Sequence, residues 1–343
     1  MKMAVINNKN YTKKELLGLT GNMDQIAGIT SSTLNDGRAN GCRTYAFKNG
    51  TGLEFTLNAD RALDIASLSY KGINVSFMAK PGIVAPTLAN FAGSFTEYGT
   101  CGMMFTCGLL SAGPDNTDNG EYHPLHGKNH ITPTEQTYFK TFWQGDDYIL
   151  EAGGTTRSSK LFGEHLSLTR KVSTKIGSNE VEICDTLENL TQNPQEFTLL
   201  YHCNFGFPFL DECLKMIFPE NVKMPRNEDA ANNMDTAEII TEPVDCLPEN
   251  VFFRHCVPDE DGFVTVKLEN EKLGIGMYIK YEMENLPILA QWKSMQKGDY
   301  ALGIEPTNNY ILGRATEREH GTLKTIGAYE TLEFKLKIGA YDL

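Results

Sequence analysis

The feature that most constrains this chain is an alternation of apolar and polar residues that recurs from about Arg43 to the end. Clear examples are the segments 147–152, 165–172, 180–187, 264–268, 276–281 and 332–338. Successive side chains of a strand point to opposite sides, so this alternation indicates strands with one buried face. Many such strands, joined by turns rich in Gly, Asn and Asp, favour an antiparallel sandwich or barrel. We therefore predict a mainly β fold.

The first forty residues have a different pattern. Thr12-Lys-Lys-Glu15 is typical of a capping box, in which a hydroxyl and a carboxylate bind the free amides of a first helical turn. We predict a helical N-terminal extension over residues 1–42, packed on a main domain over residues 43–343. Residues 225–245 are polar and rich in turn formers, which predicts a long surface loop rather than a domain boundary.

Composition and charge exclude several classes of protein. The 343 residues include 44 acidic and 31 basic side chains, and this net charge of −13 argues against nucleic acid as a partner. No apolar run of about 18 residues could span a membrane, and the first residues lack the apolar core of a secretory signal. The eight cysteines form no Cys-x-x-Cys pair, so we predict reduced thiols in a cytoplasmic protein.

Two polar segments interrupt the alternation in the first half of the chain. Residues 58–65 place Arg61 and Asp64 in an apolar frame, which fits either a local ion pair or a guanidinium fixed for a ligand oxygen. Residues 121–128 contain His123 and His126, but a zinc site needs at least one further ligand with matching geometry. We therefore predict no bound metal.

Two further polar positions lie in apolar strands of the second half. His202 is followed by Asn204, Gly206 and Pro208, where the strand ends and a ligand could approach. The alternative is a core histidine whose hydrogen bonds are satisfied. Glu305 stands directly before a proline, and a carboxylate in such a strand is costly unless it is paired or its pKa is raised. Because raised carboxylates suit general acid–base catalysis, we favour a functional interpretation.

The motifs of several common enzyme classes are absent. The sequence has no phosphate-binding G-x-x-x-x-G-K-[ST] loop and no strand-linked G-x-G-x-x-G. It also lacks the G-x-S-x-G of serine hydrolases and the H-E-x-x-H of zinc proteases. Nucleotide-dependent, serine hydrolase and zinc protease functions therefore lose their main support.

The ordered set of motifs resembles a known family, the aldose 1-epimerases or galactose mutarotases. Its members in this chain are Leu125-His-Gly127, His202 at a strand end, and Gly303-Ile-Glu-Pro306. The pattern is most similar to the DUF4432 subgroup, over roughly residues 43–341. The subgroup motifs here are Asp60-Arg-Ala-Leu-Asp-Ile65, Cys107-Gly-Leu, Leu125-His-Gly127, His202-Cys-Asn-Phe-Gly-Phe-Pro208 and Trp292-Lys.

This resemblance implies an antiparallel β-supersandwich of the galactose mutarotase type. It implies an isomerase that interconverts the anomers of a free sugar or sugar derivative and needs no cofactor. Glu305 matches the catalytic base of the family, His202 the general acid at the ring oxygen, and His126 a histidine that binds the sugar. The other candidates for substrate binding are Arg61, Asp64, Trp292, Lys293 and Asn204.

The chemistry of anomer interconversion suits these residue types. It requires a base for the O1 proton and an acid for the ring oxygen, which we expect on opposite sides of a pyranose. We also expect Glu305 to be ionised and His202 protonated at the pH optimum. The predicted partner is a small sugar, with no nucleic acid and no membrane, and a homodimer is kept as a candidate assembly.

Two alternative functions stay open on the sequence. A non-catalytic carbohydrate-binding or sensing protein would keep the aromatic residues, and another sugar isomerase or lyase could use the same cleft. The residues around His202 depart from the typical mutarotase motif, and Lys128 replaces the second glycine of the family's Leu-His-Gly-Gly. These departures leave the identity of the sugar open.

Overall fold

The computed structural model describes residues 4–6, 9–89 and 95–343. Strands dominate it, and the helices are short. The helices are α1 (Lys13–Leu19), α2 (Glu228–Asn232) and α3 (Arg314–Glu319). The strands are β1 (Ala4–Ile6), β2 (Lys9–Tyr11), β3 (Gly28–Thr33), β4 (Arg43–Lys48), β5 (Leu53–Asn58), β6 (Asp64–Tyr70), β7 (Ile73–Asn74), β8 (Met104–Leu109), β9 (Asn116–Asp118), β10 (Glu121–His123), β11 (Glu135–Gln144), β12 (Asp147–Ser159), β13 (His165–Lys175), β14 (Glu180–Asn189), β15 (Gln195–Phe205), β16 (Lys215–Ile217), β17 (Asn221–Pro225), β18 (Asn250–Cys256), β19 (Phe263–Asn270), β20 (Ile275–Glu282), β21 (Ile288–Gln296), β22 (Asp299–Thr307), β23 (Lys324–Ile326) and β24 (Thr331–Asp342).

Two large antiparallel sheets form the body of the protein. The first sheet has the order β11-β12-β13-β14-β24-β20-β19-β16. The second has the order β17-β18-β21-β22-β15-β8-β6-β5-β4-β3, with β7 and β23 attached to β6 and β15. The prediction of a mainly β, antiparallel fold is confirmed. The six segments chosen for their alternation all lie in strands, namely β12, β13, β14, β19, β20 and β24.

The N-terminal region contains the predicted capping box but is not a purely helical extension. Thr12 Oγ1 accepts a hydrogen bond from the Glu15 amide at 3.3 Å, and the Glu15 carboxylate accepts one from the Thr12 amide at 2.8 Å. However, β3 pairs with β4 at the edge of the second sheet, so the predicted boundary at residue 43 is corrected to a point before β3. The pattern missed β3 because most of its residues are exposed Ser and Thr.

The main core lies between the two sheets, and alternation along each strand decides which side chains enter it. On β15, Tyr201 and Cys203 belong to this core. Leu200 points to the other face of the second sheet, where it packs in a smaller cluster with Phe105. His202 stacks on Phe105 at a ring distance of 4.3 Å. The face away from the main core therefore carries the polar residues of the strand.

A buried ionic network connects the two sheets. Arg170 on β13 is 2% exposed and donates hydrogen bonds to Asp185 on β14 and to Asp64 on β6, at 2.6 and 2.8 Å. Asp185 also accepts a hydrogen bond from the Tyr201 hydroxyl at 2.8 Å. Asp64 accepts two further bonds from the amide and hydroxyl of Thr106 on β8. Buried charges destabilise a fold unless they are paired and hydrogen-bonded, and these three charged groups satisfy that condition together.

The described residues set two further limits. No helix in the described ranges has both the length and the apolar composition needed to cross a membrane. The eight cysteines are all unpaired, and four of them are buried.

We expect Arg170→Leu to lower the free energy of unfolding by about 3–5 kcal/mol, because it leaves two buried carboxylates without their cation. Denaturant-induced unfolding monitored by circular dichroism measures the change. Lys71→Ala is the control, since Lys71 pairs with Asp342 on the exposed surface and its loss should cost less than about 1 kcal/mol. Equal losses in the two variants would contradict the role assigned to Arg170.

Candidate active site

His202 and Glu305 lie side by side on neighbouring strands of the second sheet. In the β15–β22 ladder Cys203 is opposite Ile304, which places the preceding residue, His202, opposite Glu305. His202 Nε2 lies 3.2 Å from Glu305 Oε1, although the ring N–H is not aligned for a hydrogen bond. Both side chains are more than nine-tenths buried. The expectation that they stand on opposite sides of a sugar is therefore corrected, because cross-strand neighbours point the same way.

Gly303 provides the space that the Glu305 carboxylate occupies. A Cβ atom at position 303 would lie 2.1 Å from Glu305 Oε1 and 3.0 Å from the Cβ of Trp292, the residue directly opposite on β21. Real Cβ contacts are not this short, so any side chain there would displace the carboxylate. The glycine is part of the Gly-Ile-Glu-Pro motif, so its importance could have been inferred from the sequence, although a role was predicted only for the glutamate.

His126 reaches the same cleft from a tight turn. Its φ is +60°, its amide donates to the Gly113 carbonyl at 2.8 Å, and its carbonyl accepts from the Gly108 amide at 3.1 Å. Gly127 follows with a φ of +73°, and a Cβ there would lie 2.3 Å from the Ser111 carbonyl oxygen, so only glycine fits. The His126 ring stands nearly perpendicular to that of His202, at 5.5 Å.

The cleft around these three side chains has a volume of about 660 Å³, and its walls are largely aromatic and aliphatic. Phe105 stacks on His202 from one side, and Trp292 meets the His202 ring edge-on at 5.5 Å. Other apolar side chains at the walls include Phe77, Phe95, Leu125, Val251 and Ile311. A cleft of this size with a few convergent polar groups is suited to a small polar ligand.

Two ion pairs line the outer part of the cleft, and the sequence analysis missed both. Arg226 Nη2 lies 3.1 Å from Glu249 Oε1, and Lys80 Nζ lies 2.6 Å from Asp299 Oδ2. Arg226 lies at the start of the segment 225–245 that was predicted to be a surface loop, and Glu249 lies four residues beyond its end, directly before β18. No local pattern distinguishes them, because Arg226 and Glu249 are 23 positions apart in the sequence.

The electrostatics of the central pair follow from its burial. Desolvation raises the pKa of Glu305 well above its ordinary value. It lowers the pKa of His202 well below the usual range, with a smaller effect from the neighbouring His126. Desolvation also lowers the pKa of His126 to about 4. These directions favour a protonated Glu305 beside an unprotonated His202, which reverses the expected charge distribution between them.

Three buried polar atoms of the cleft have no hydrogen-bond partner among the described residues. They are His126 Nδ1, His202 Nδ1 and Glu305 Oε1. Buried polar groups are almost always hydrogen-bonded in folded proteins, and exceptions call for an explanation. All three belong to residues that line the same cleft.

Arg61 and Asp64 do not reach the wall of the cleft, where the sequence analysis expected them. Arg61 donates hydrogen bonds to the backbone carbonyls of His130, Val84 and Tyr98, at 2.8–3.0 Å. Asp64 belongs to the buried network around Arg170, and its burial raises its pKa to about 6. Both residues therefore stabilise the protein interior next to the cleft and do not line the cleft.

Lys293 and Asn204 are also absent from the cleft lining. Lys293 follows Trp292 on β21, so it points to the other side, where its Nζ donates to the Thr236 carbonyl at 2.8 Å. Asn204 is fully buried, and its amide group donates to the carbonyls of Gly102 and His202. The structure thus brings His126, His202, Glu305 and Trp292 together and separates the other four candidates from them.

Among the described residues the histidines are not part of a group of side chains that could bind a metal ion. No three His, Cys, Asp or Glu side chains there are grouped so that they could hold a metal ion. His123 lines a separate cavity of about 160 Å³ and not the cleft that contains His126.

Comparisons with known proteins agree with this architecture. The sequence profile of the family described as "Domain of unknown function (DUF4432)" matches residues 39–340. The chain belongs to the DUF4432 family. None of the curated proteins matches it.

Three solved structures illustrate the fold that this member of the DUF4432 family shares with other proteins. A candidate aldose 1-epimerase from Klebsiella pneumoniae is 24% identical, with a TM-score of 0.88 over 94% of this chain and 87% of its own. A galactose mutarotase-like protein from Clostridium acetobutylicum is 13% identical, with a TM-score of 0.62 over 93% and 100%. A galactose 1-epimerase from Lactobacillus acidophilus is 11% identical, with a TM-score of 0.59 over 92% and 99%. At these identities the likeness shows a galactose mutarotase-like fold.

We expect Gly303→Ala to slow any acid–base reaction catalysed in this cleft by about a hundredfold, since a displacement of about 1 Å in a catalytic group has that effect. Stability should change little, because Gly303 has ordinary strand geometry and the Glu305 carboxylate can move aside. Initial rates and thermal unfolding measure the two effects. Gly18→Ala, in open space on α1, is the control and should leave the rate unchanged. A Gly303→Ala protein with the parent rate would show that the carboxylate position is unimportant.

Proposed function

We propose that this protein interconverts the anomers of a sugar by acid–base ring opening and reclosure. The observation that carries the proposal is the approach of His202 Nε2 to Glu305 Oε1, at 3.2 Å, in a cleft where both groups have a polar atom without a partner among the described residues. Two proteins with this fold, a candidate aldose 1-epimerase and a galactose 1-epimerase, support the same reaction class.

The close pair suits the geometry of the reaction. The two oxygens that exchange protons, O1 and the ring oxygen, are bonded to the same carbon of the sugar. An acid and a base that are near neighbours can therefore reach both oxygens at once. His202 and Glu305 are fixed on adjacent strands, so their spacing is set before the sugar binds.

The reaction needs one proton on the pair. The protonated member gives its proton to the ring oxygen while the other removes the O1 proton, so the C1–ring oxygen bond breaks and an aldehyde forms at C1. After rotation about the C1–C2 bond, the new hydroxyl attacks the other face of the aldehyde and both protons return. The pair ends in its starting charge state, and positioned proton transfer of this kind contributes roughly 10²–10⁴ in rate.

The other cleft residues supply binding and orientation. His126 is held in its unprotonated form by its low pKa, so it can accept a hydrogen bond from a sugar hydroxyl. Trp292 and Phe105 offer apolar surface to the ring. The cations Arg226 and Lys80 are each already paired with a carboxylate, which favours an uncharged sugar over a phosphorylated or acidic one.

The alternative functions predict different experimental results. A binding protein would bind sugar without changing its anomers, and a lyase would release an unsaturated product from a uronate. We favour an enzyme over a binding protein, because a buried carboxylate beside a histidine destabilises the fold and is not needed for binding alone. The two epimerases with this fold favour an epimerase over a lyase. We propose a reducing, cytoplasmic setting, which the eight unpaired thiols suit, and the homodimer stays a prediction.

We expect Glu305→Gln to abolish anomer interconversion while sugar binding largely persists, because glutamine keeps the shape of the side chain but cannot exchange the proton. His202→Asn should slow the reaction by about a hundredfold or more, the usual contribution of one positioned proton-transfer group. Polarimetry or NMR of freshly dissolved single anomers of uncharged aldoses measures the rate. A Glu305→Gln protein that equilibrates every accepted sugar at the parent rate would leave sugar binding as the better account.

We also expect Glu305→Gln to stabilise the protein increasingly as the pH rises above 4.5. Between 4.5 and the raised pKa of the folded state, Glu305 stays protonated when folded and ionises when unfolded. The parent therefore loses about 1.4 kcal/mol of stability for each pH unit in this window, and the variant does not. Denaturant unfolding of both proteins at pH 5 and pH 8 measures the gap. A gap that is the same at both values would contradict a raised pKa.

A further inference from the structure

Three side chains form a continuous chain of contacts from the outer cleft to His202. Arg226 Nη2 donates a hydrogen bond to Glu249 Oε1 at 3.1 Å. The other oxygen of the same carboxylate, Oε2, accepts a bond from the indole Nε1 of Trp292 at 2.7 Å. The Trp292 ring then meets the His202 ring edge-on, at 5.5 Å and 73°.

The backbone near Arg226, Glu249 and Trp292 consists of paired strands, which keep these three residues next to one another. Arg226 directly follows β17 and Glu249 directly precedes β18, and these two strands pair with each other. The Arg226 amide donates to the carbonyl of Val251, which is opposite Trp292 in the β18–β21 ladder. The strands therefore fix the Cα positions, while the direction of the indole is left to its side-chain contacts.

The direction of the indole matters because an aromatic ring binds a sugar through its face. Only a fixed ring presents that face at a constant position relative to the reacting carbon. The other aromatic neighbour of Trp292 is Phe77, at 6.5 Å and edge-on, which restricts the ring less than a hydrogen bond of 2.7 Å does. The carboxylate of Glu249 is a charged acceptor, which makes the bond stronger than one to a neutral group.

We propose that Glu249 is a positioning residue of this site: its carboxylate, held by Arg226, fixes the indole of Trp292 against His202. The statement about turnover rests on the proposed function, whereas the statement about the indole does not. Sequence reasoning could not find Glu249, since it lies 43 positions from Trp292 and in no motif.

The same pair also acts on the proton affinity of the centre. The negative charge of Glu249 raises the pKa of Glu305, and the positive charge of Arg226 lowers it. Glu249→Gln keeps an oxygen that can accept the indole bond but removes the charge, so the alkaline limb of the rate profile should move to lower pH. Arg226→Gln should move that limb to higher pH. If Glu249 and Arg226 had no electrostatic effect on Glu305, the two substitutions would not shift the alkaline limb in opposite directions.

Fluorescence tests the tether independently of turnover. The chain has two tryptophans, so a Trp143→Phe background leaves Trp292 as the sole emitter. In that background Glu249→Ala should red-shift the emission, increase acrylamide quenching and lower the steady-state anisotropy, because the indole is released. Glu249→Gln should retain most of the parent signal. Glu121→Ala, which removes an exposed pair with Lys160 outside the cleft, is the matched control and should change nothing.

Kinetics on an uncharged aldose form the second arm. Glu249→Ala should raise KM by up to about tenfold, because the sugar must then order one released side chain on binding, with a smaller change in kcat. Unchanged emission, quenching and anisotropy in folded Glu249→Ala would overturn the proposal. Alkaline limbs that shift in the same direction in Glu249→Gln and Arg226→Gln would contradict the separate charge effect on Glu305. If the parent turns over no sugar, the proposed function fails, and the fluorescence arm alone decides whether Glu249 positions Trp292.

Discussion

The rest of the structure depends on the buried ion pairs that the guanidinium of Arg170 forms. It binds Asp185 in the first sheet and Asp64 in the second, and it does so in the interior, where an unpaired charge would be very costly. The network reaches Tyr201 and Thr106 on the inner side of β15 and β8. Their sequence neighbours on the outer side are His202 and Phe105, so the contacts that join the sheets also fix the two strands that carry the site.

The candidate site combines groups that destabilise the fold with surroundings that keep them in place. Glu305 and His202 are desolvated and incompletely hydrogen-bonded, which reduces stability but favours the neutral form of both groups, the state from which the proposed reaction starts. Gly303 leaves room for the carboxylate, and Phe105 stacks on the imidazole. The opposing demands of stability and chemistry are thereby met on two neighbouring strands.

Much of the fold was predictable because strand patterns are local. Alternation over a few residues identified β12, β13, β14, β19, β20 and β24, and Thr12 with Glu15 identified the start of α1. Strand β3 was missed because its exposed Ser and Thr residues carry no apolar face. In the site, His126, His202 and Glu305 were found through ordered motifs, and the structure brings all three to one cleft. Arg61, Asp64, Lys293 and Asn204 were wrongly placed there.

The sequence by itself determined the strand-rich fold and identified the residues proposed for anomer interconversion, because strand alternation and short motifs are local patterns. Only the tertiary structure decided which polar residues share the cleft, since that depends on strand register and on which face each side chain takes. In the structure Arg61 binds backbone carbonyls, and Asp64 belongs to the interior network around Arg170. Only the tertiary structure places Glu249 against Trp292 and Arg226 against Glu249, contacts between distant positions that no local pattern encodes.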